Sequence, residues 1–460
     1  MTRDLGRLSG ETFDILVIGA GIYGAAIAWD AAQRGFSVAL VDRGDFGGAA
    51  SANSLKTVHG GLRSLQRGAL AEVRLFVRER RALLRIAPHL VTPLSFVVPT
   101  SRHPVRNRTI MRVALALNDL IAHDRNRVLL PSCQLHSGRL LSRDEVLAIA
   151  PELDGSHVTG GASWCDAQMR NSERLVLAFV ASAARAGAAI ANHAAVGRLL
   201  RDNGRVVGAL VRDGIGGDTF EVRARLTINA AGAWAAALTS EATSRPAAAL
   251  LPSLSRALNI VTRRPASGPA VGGLSEGRFF FKGPWGGLRM YGTSHDPFEA
   301  PLENARPSRE PVEALLRDIN RAFPGAPVAI DEVHQDLRQV GGMLFLHQVR
   351  EIGGRAPGEQ PPHGNLGDGG ASMRGHRPPA PSRGGRAGRP AGRPAAAHDH
   401  GQKTPLARVR QAPAAMSLIV CGWNARAAPP VPGVGAAAAC GHHAPGWKGL
   451  PSEAGMLTRI

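Results

Sequence analysis

The segment Phe13-Asp-Ile-Leu-Val-Ile-Gly-Ala-Gly-Ile-Tyr-Gly24 is the most informative part of this 460-residue chain. Its apolar run 15–18 predicts a buried strand, and Gly19, Gly21 and Gly24 then form a GxGxxG pattern. The first glycine permits a tight turn, the second lets the backbone approach a pyrophosphate, and the third lets a helix pack closely on the strand. The pattern therefore predicts a strand–turn–helix unit that binds phosphate groups.

The residues after this stretch extend it to a βαβ unit. A helix over about residues 24–34 would aim its N-terminal N–H groups at the phosphates, and Gly35 would end it. Residues 38–41 predict the next strand, and Asp42 follows it, 23 positions after Gly19. That spacing is near the roughly 20 residues expected for an acid that binds the adenosine ribose. A dinucleotide site is the prediction; a Gly-rich turn in a plain βαβ unit is the alternative.

Composition limits the class of protein. Hydrophobic residues make up 44% of the chain, which suits a globular protein with a core. Cys133, Cys165, Cys421 and Cys440 form no CxxC motif, so reduced thiols in a cytoplasmic protein are expected, with no disulfides and no metal site. The N-terminal residues show no signal-peptide pattern, and the apolar run 15–29 is too short to span a membrane.

The net charge of +19 could indicate nucleic acid, but no basic helix with interleaved aromatic residues accompanies it. We expect this charge to attract phosphorylated metabolites or an anionic membrane surface, and we expect no nucleic-acid partner. The apolar and arginine-flanked helix predicted over 107–126 could lie on such a surface or pack as an ordinary helix.

Further elements follow from periodicity and turn residues. We predict helices over 71–87, from 171–172 onward and over 313–323, and strands over 92–99, 188–191, 196–201, 206–212, 220–223, 226–229, 278–284 and 288–292. The turn Asp202-Asn203-Gly204 predicts a hairpin. A strand meander followed by a second glycine turn, at Gly232, favours a flavin-binding domain over repeated βαβ units.

Two other stretches stand out. The loop 49–61 and the residues after it combine small residues with Ser51, Ser54, Lys56, His59 and Arg63, and would either line a cofactor's reactive ring or form a polar surface loop. Residues 351–460 contain 20 Gly and 15 Pro, above the roughly 25–30% that indicates low complexity. We predict that the tail over 346–460 is largely disordered.

Several segments together resemble the FAD-dependent, aerobic-type glycerol-3-phosphate dehydrogenases, within the D-amino-acid-oxidase-like flavoprotein superfamily. SANSLKTVHGGLRSLQRG over 51–68 is the most specific of them. The others are GAGIYGAAIAWDAAQRG (19–35), APHLVTPLSFVVP (87–99), DAQMRNSERLVLAFV (166–180), INAAGAW (228–234) and YGTSHDP (291–297).

The resemblance implies an α/β fold in which a Rossmann-like FAD-binding domain is interleaved with an antiparallel-sheet substrate domain. The expected segments are FAD-binding over 13–100 and 166–240, a helical insertion over 101–165, a substrate domain over 241–345, and the tail. The implied activity is oxidation of sn-glycerol 3-phosphate to dihydroxyacetone phosphate, with electrons passed to a quinone at the inner face of the membrane.

The resemblance also implies roles for single residues. The ADP half of FAD would be bound by Gly19, Gly21, Gly24 and Asp42, and its adenine by the backbone near Val196. Ser54 and Lys56 would lie along its pyrophosphate and flavin, and Ala231 and Gly232 would complete the FAD cradle. His59 and Arg63 correspond to the active-site pair. A histidine titrates in the range useful for taking the C2 hydroxyl proton, and an arginine offers a forked donor to phosphate.

The sequence departs from the family pattern at three places. Ser64 stands where the family usually has tyrosine, and Lys282 interrupts an apolar run before Pro284-Trp285. The family's C-terminal part is not recognisable after about residue 345, which suggests a frameshift near codons 335–350 and predicts weak or no dehydrogenase activity. If neither of the other two reading frames encodes a Gly-Lys-Thr-Thr-like segment, the frameshift hypothesis fails.

Two other functions stay open. The chain could be another FAD-dependent oxidoreductase of the superfamily that acts on an amino or hydroxy acid, because Arg63 alone does not distinguish a phosphate from a carboxylate. It could also be an inactive FAD-binding remnant.

Overall fold

Two β-sheets organise this computed structural model, which describes residues 1–243, 254–298, 302 and 307–333 and the backbone of 343–346. The helices are α1 Leu5–Gly10, α2 Ile22–Gln33, α3 Leu62–Leu65, α4 Leu70–Ile86, α5 Arg108–Ile121, α6 Arg143–Ile149, α7 Ser172–Arg185, α8 Ala235–Thr243 and α9 Arg309–Ala322. The strands are β1 Thr12–Ile18, β2 Val38–Val41, β3 Thr57–Val58, β4 Val91–Thr100, β5 Arg139–Leu141, β6 Gly160–Met169, β7 Ala189–Ala191, β8 Ala194–Asp202, β9 Arg205–Asp213, β10 Thr219–Asn229, β11 Leu254–Pro265, β12 Ala270–Ser275, β13 Arg278–Trp285, β14 Leu288–Phe298 and β15 Met343–Leu346.

The first sheet has the order β7-β2-β1-β10-β9-β8. The pairs among β7, β2, β1 and β10 are parallel, and the pairs of β9 with β10 and β8 are antiparallel. All four residues of β2 are buried, as expected for a central strand of a parallel sheet covered on both faces. On one face, α2 packs against α7, where the rings of Trp29 and Phe179 meet edge to face at 5.3 Å. The fold is thus α/β, as predicted.

The strand beside β1 is longer than predicted. Residues 220–223 and 226–229 belong to one continuous strand, β10. The parallel register with β1 runs from Thr12 opposite Arg223 to Ile18 opposite Asn229, so the intervening residues stay extended. The alternating exposed arginines at 223 and 225 conceal this continuity in the sequence. The predicted hairpin is present as β8 and β9, and Asn203 and Gly204 between them both have positive φ.

The second sheet has nine strands, in the order β15-β11-β14-β13-β12-β4-β6-β3, with β5 also paired to β6. The predicted antiparallel sheet is present and contains one parallel pair, β12 with β4, in which Ala270 lies opposite Phe96. This pair joins strands about 170 positions apart, and no local turn fixes their relative direction. The boundaries of the five predicted segments stay a prediction, since strand pairing alone does not define where a domain ends.

Two predicted helices have different ends. The helix predicted over 107–126 ends at Ile121, and Asn107 caps its N-terminus by accepting a hydrogen bond from the N–H of Ile110. The helix predicted to start at residue 313 starts at Arg309. The frameshift predicted near codons 335–350 and the disorder predicted over 346–460 fall outside the described residues, apart from the backbone of 343–346.

Lys282 lies in β13 and is largely buried against Phe323, with its Nζ 5.6 Å from the ring centroid. Its Nζ also contacts Oε1 of Glu152, which gives the buried cation an anionic partner. Burial is the main cause that lowers the pKa of Lys282, to about 8. At this departure from an apolar run, a carboxylate from a distant loop thus lies beside the buried ammonium.

Candidate cofactor and active site

The turn after β1 rests on backbone contacts that only glycine permits. Gly19 has φ = 98°, and a Cβ added there would lie 2.6 Å from the carbonyl oxygen of Ala230. A Cβ at Gly24 would lie 1.8 Å from the carbonyl oxygen of Gly19. The first glycine therefore allows the turn, and the third allows α2 to pack against it, as the motif predicts.

The N-terminus of α2 contacts the polar loop, which is defined as residues 51–63. Gly21 is its N-cap residue, and the N–H of Ile22 donates to Oγ of Ser51 at 3.0 Å. A Cβ at Gly21 would lie 3.3 Å from the same Oγ, so a larger residue would crowd this hydrogen bond. Sequence reasoning placed Ser51 in the loop but gave it no partner, because nothing local connects it to a helix 29 residues earlier.

Asp42 closes β2 beside this turn. Its Oδ2 accepts from the N–H of Ala20 at 2.6 Å, and its Oδ1 accepts from the N–H of Gly44 at 2.9 Å. Burial raises the pKa of Asp42, and the two backbone hydrogen bonds oppose that change. The carboxylate thus stands at the turn, where an acid that binds a ribose is expected.

The other predicted cofactor residues approach from two directions. A Cβ at Gly19 would lie 2.9 Å from the Cα of Ala231, and Gly232, with φ = 57°, begins a short 3₁₀ helix after it. Val196 lies in β8, two residues after Ala194, whose N–H donates to the carbonyl oxygen of Asp42 at 2.7 Å. Gly19, Ala231 and Asp42 thus lie together, and the strand that carries Val196 is hydrogen-bonded to the backbone of Asp42 at its first residue.

Lys56 anchors the polar loop inside the protein. Its side chain is 0% exposed, and its Nζ donates to Oγ of Ser172 at 2.8 Å and to the carbonyl oxygen of Ala52. Oε1 of Glu173 lies 3.5 Å from the same nitrogen. Burial lowers the pKa of Lys56, and the charge of Glu173 opposes this shift. Ser54, also buried, accepts from the backbone N–H of Lys56 at 3.3 Å.

The same lysine reaches the second sheet. Its Nζ lies 5.0 Å from the ring centroid of Trp285, at the end of β13. The Nε1–H of Trp285 donates to the carbonyl oxygen of Arg170 at 3.0 Å. The polar loop is therefore held between α2, α7 and the strand that carries Trp285.

His59 and Arg63 flank the glycines at the end of this loop. The ring of His59 meets that of Phe76 edge to face, with centroids 5.2 Å apart. Burial is the main cause that lowers the pKa of His59; Arg80 and Arg63 also lower it, while Asp166 and Glu72 raise it. The imidazole is therefore neutral near pH 7 and able to accept a proton.

Arg63 lies in α3 with its side chain exposed. The next residue, Ser64, is buried, and its hydroxyl accepts from Nη2 of Arg67 at 3.2 Å. Where the family usually has tyrosine, this chain thus has a small buried residue beneath an exposed arginine.

Sequence reasoning missed a buried ion pair at this turn. Asp166 in β6 pairs with Arg80 in α4, and it also accepts from the N–H of Gly60 at 2.6 Å. A signal for Arg80 exists, because it stands four positions after Phe76 on the buried face of α4. No such local signal assigns Asp166 as its partner, 86 positions away.

These features fit a dinucleotide cofactor. The turn around Gly19 is too narrow for a Cβ, the N-terminus of α2 carries a partial positive charge, and the carboxylate of Asp42 lies beside them. Taken together they have the arrangement expected of a cradle for a diphosphate with an acid beside it for the ribose.

Comparison with known proteins agrees with this arrangement. The family described as "FAD dependent oxidoreductase" matches residues 14–360, which extends past residue 345. Among curated proteins, the chain is similar to an alpha-glycerophosphate oxidase of Streptococcus pyogenes serotype M1, with 31% identity over 77% of this chain and 58% of that protein. It is also similar to a glycerol-3-phosphate dehydrogenase of Synechocystis sp., with 29% identity over 72% of this chain and 61% of that protein.

Solved structures share the fold. The glycerol-3-phosphate dehydrogenase from Bacillus halodurans complexed with FAD aligns with a TM-score of 0.54 and 23% identity, over 75% of this chain and 62% of that chain. L-proline dehydrogenase from P. horikoshii aligns with a TM-score of 0.51 and 19% identity, over 68% of this chain and 78% of that chain. The present chain spans less than two thirds of the length of the curated relatives it matches.

Replacing Gly24 with Ala tests the cradle. The new Cβ would lie 1.8 Å from the carbonyl oxygen of Gly19, so the helix must move away from the turn. We expect a loss of about 1–3 kcal/mol in the free energy of unfolding, measured in urea, and a lower content of bound flavin. Gly6→Ala is the control, because no atom lies within 4 Å of its added Cβ. Flavin content equal to that of the unmodified chain would contradict the role of the turn.

Proposed function

Because the chain belongs to the family of FAD dependent oxidoreductases, we propose that it oxidises sn-glycerol 3-phosphate to dihydroxyacetone phosphate. The observation that carries this proposal is the loop 51–63, which meets the N-terminus of α2 through Ser51 and presents His59 and Arg63 at its other end. The names of the curated relatives support the substrate.

The residues that would hold FAD are those of the cradle. Gly19, Gly21, Gly24 and Asp42 would bind its ADP half, and the backbone near Val196 its adenine. Ser54 and Lys56 would lie along its pyrophosphate and flavin, and Ala231 and Gly232 would complete the cradle. When bound, FAD supplies the acceptor for the hydride that leaves C2 of the substrate. The buried Lys56 would set the position of the loop against it.

His59 would act as the general base. Oxidation at C2 requires removal of the hydroxyl proton, and the imidazole accepts it only when neutral. Burial lowers the pKa of His59, which favours that neutral form at neutral pH. The edge of the Phe76 ring would keep the imidazole in one orientation.

Arg63 would bind the substrate phosphate. Its guanidinium is exposed, and it lies close enough for its charge to lower the pKa of His59. A guanidinium forms paired hydrogen bonds with phosphate oxygens. In this arrangement Arg63 would bind the substrate phosphate while His59 takes the proton of the C2 hydroxyl.

Anaerobic bleaching of bound flavin tests the substrate. We expect sn-glycerol 3-phosphate to bleach it, and glycine, L-proline and a 2-hydroxy acid to leave it oxidised. Bleaching by an amino or hydroxy acid instead would favour the other superfamily reaction. Bound flavin that no substrate bleaches would identify an inactive remnant.

Two variants test the residues. His59→Asn should lower the bleaching rate by about 10²–10⁴-fold, since it removes the base. Arg63→Ala should raise the KM for the phosphate substrate by about 10–100-fold, because a charge-assisted hydrogen bond contributes about 1.5–3 kcal/mol. Arg85→Ala, which removes an exposed arginine near the end of α4, is the control.

In the unmodified chain, the rate of flavin bleaching should fall with decreasing pH at a midpoint below about 6.5, since the pKa of His59 is lowered.

We further propose that dehydrogenase activity of this chain is weak. The family pattern of a Gly-Lys-Thr-Thr-like segment is not recognisable after about residue 345, and that segment would supply donors to the flavin and the substrate phosphate. Flavin content and dye-linked oxidation of the purified chain measure the defect. Full flavin occupancy with rapid turnover would contradict it.

We propose that the chain is cytoplasmic and docks on the inner face of the membrane through α5, where a quinone would accept the electrons. Large apolar side chains are exposed along and beside this helix among the described residues: Val105, Ile110, Val113, Leu120, Val128 and Leu130. Exposed arginines Arg102, Arg112 and Arg127 accompany them. Apolar side chains next to arginines suit an interface with anionic lipids.

In the described part of the chain, no helix is both long and apolar enough to cross a bilayer.

Flotation with vesicles tests this surface. Val113→Glu should weaken binding to anionic vesicles by about 10-fold. Burial of the valine side chain in the membrane would contribute about 1.5 kcal/mol to the binding free energy, and a charged side chain would lose this contribution. Ile215→Glu, at an equally exposed position in the turn between β9 and β10, is the control. Equal binding of all three proteins would contradict docking through α5.

A further inference from the structure

The carboxylate of Asp166 joins three elements beneath the turn His59-Gly60-Gly61. Its Oδ1 accepts from the N–H of Gly60 at 2.6 Å and pairs with Nη1 of Arg80. Its Oδ2 accepts from Nε1–H of Trp164 at 2.9 Å. Asp166 is 4% exposed and Arg80 3%, so the pair is closed off from solvent.

Two side chains of the helix α4 contact this turn. A Cβ at Gly60 would lie 2.3 Å from Nη1 of Arg80, so the guanidinium lies directly against the backbone of the turn. One helical turn earlier, Phe76 contacts the ring of His59, and a Cβ at Gly61 would lie 2.6 Å from Cδ2 of Phe76. The residue after His59 therefore contacts Arg80, while His59 itself contacts Phe76.

A buried ion pair is not in itself a source of stability. The cost of removing both charges from water often equals or exceeds their attraction, and apolar replacements are often as stable. What an apolar pair would not supply here is the acceptor for the Gly60 N–H and the donor to the carbonyl oxygen of Cys165, which Arg80 reaches at 3.2 Å. The polar pair thus serves the position of the turn.

We propose that Asp166 and Arg80 are positioning residues that fix the orientation of His59 and balance the charge around it. This inference rests on the proposed function in so far as it takes His59 as the base. The two charges act on the pKa of His59 in opposite directions, since Asp166 raises it and Arg80 lowers it. Of the other charges near the ring, Glu72 raises this pKa and Arg63 lowers it, while burial lowers it most.

Single and double variants test the balance. Asp166→Asn keeps an oxygen for the Gly60 N–H but removes the negative charge, so the pKa of His59 should fall. Arg80→Met removes the positive charge, so the pKa should rise. We expect shifts of about one pH unit in opposite directions, and a return towards the original value in the double variant. The control is Arg74→Met. It removes another arginine of α4, one that pairs with Asp124.

The pKa is measured without any turnover. Diethyl pyrocarbonate acylates neutral imidazole, and the pH dependence of labelling at His59, read by peptide mass spectrometry of the full chain, reports its titration. Circular dichroism verifies folding, and the double variant, in which neither charge is left unpaired, covers the case that a single variant unfolds. Shifts in the same direction, or none in variants that fold, would overturn the inference.

Flavin bleaching by sn-glycerol 3-phosphate then separates this inference from the proposed function. Opposite shifts in a chain whose flavin no substrate bleaches would support the positioning role and refute the function. If the flavin is bleached, the midpoint of the acid limb of the bleaching rate should move with the labelling midpoint in each variant. Bleaching by that substrate with identical midpoints in all variants would refute the positioning role alone.

Discussion

The turn after β1 and the turn after β10 pack so closely that no side chain fits between them. Ile18 and Asn229 are partners in the parallel pair, and a Cβ on the next residue, Gly19, would lie less than 3 Å from the backbone of Ala230. Parallel strands bring their carboxyl ends to one edge, so the N-terminus of α2 and Asp42 converge on the same place. Asp42 and the N-terminus of α2 are therefore positioned next to this contact.

Three anchors hold the loop 51–63, and with it His59 and Arg63, in place beside this turn. Ser51 binds the N-terminus of α2, Lys56 binds Ser172 at the start of α7, and Gly60 binds Asp166 in β6. Ordering a loop costs chain entropy, and here buried charges oppose it as well. The hydrogen bonds of these three anchors offset this cost and leave His59 against Phe76 of α4.

Elements with a strong local pattern were predicted correctly from the sequence. The strand before Gly19, the helix after it and the hairpin turn at Asn203-Gly204 each follow from residues only a few positions apart. The predicted break between residues 223 and 226 was wrong, because pairing with β1 holds exposed arginines in an extended conformation. The parallel pair of β12 with β4 was missed for the same kind of reason, since the decisive partners are far away in the chain.

The βαβ unit, the polar loop and the resemblance that names His59 and Arg63 follow from the sequence alone. Glycine spacing and apolar runs express local steric rules, so they can be read without a structure. The burial of Lys56 beside Ser172, and the contacts of Arg80 and Asp166 with the turn at Gly60, are seen only in the folded chain. The hydrogen bonds among these residues join positions 86 to 116 apart in the chain, and hydrogen bonds over such separations form only once the sheets have assembled.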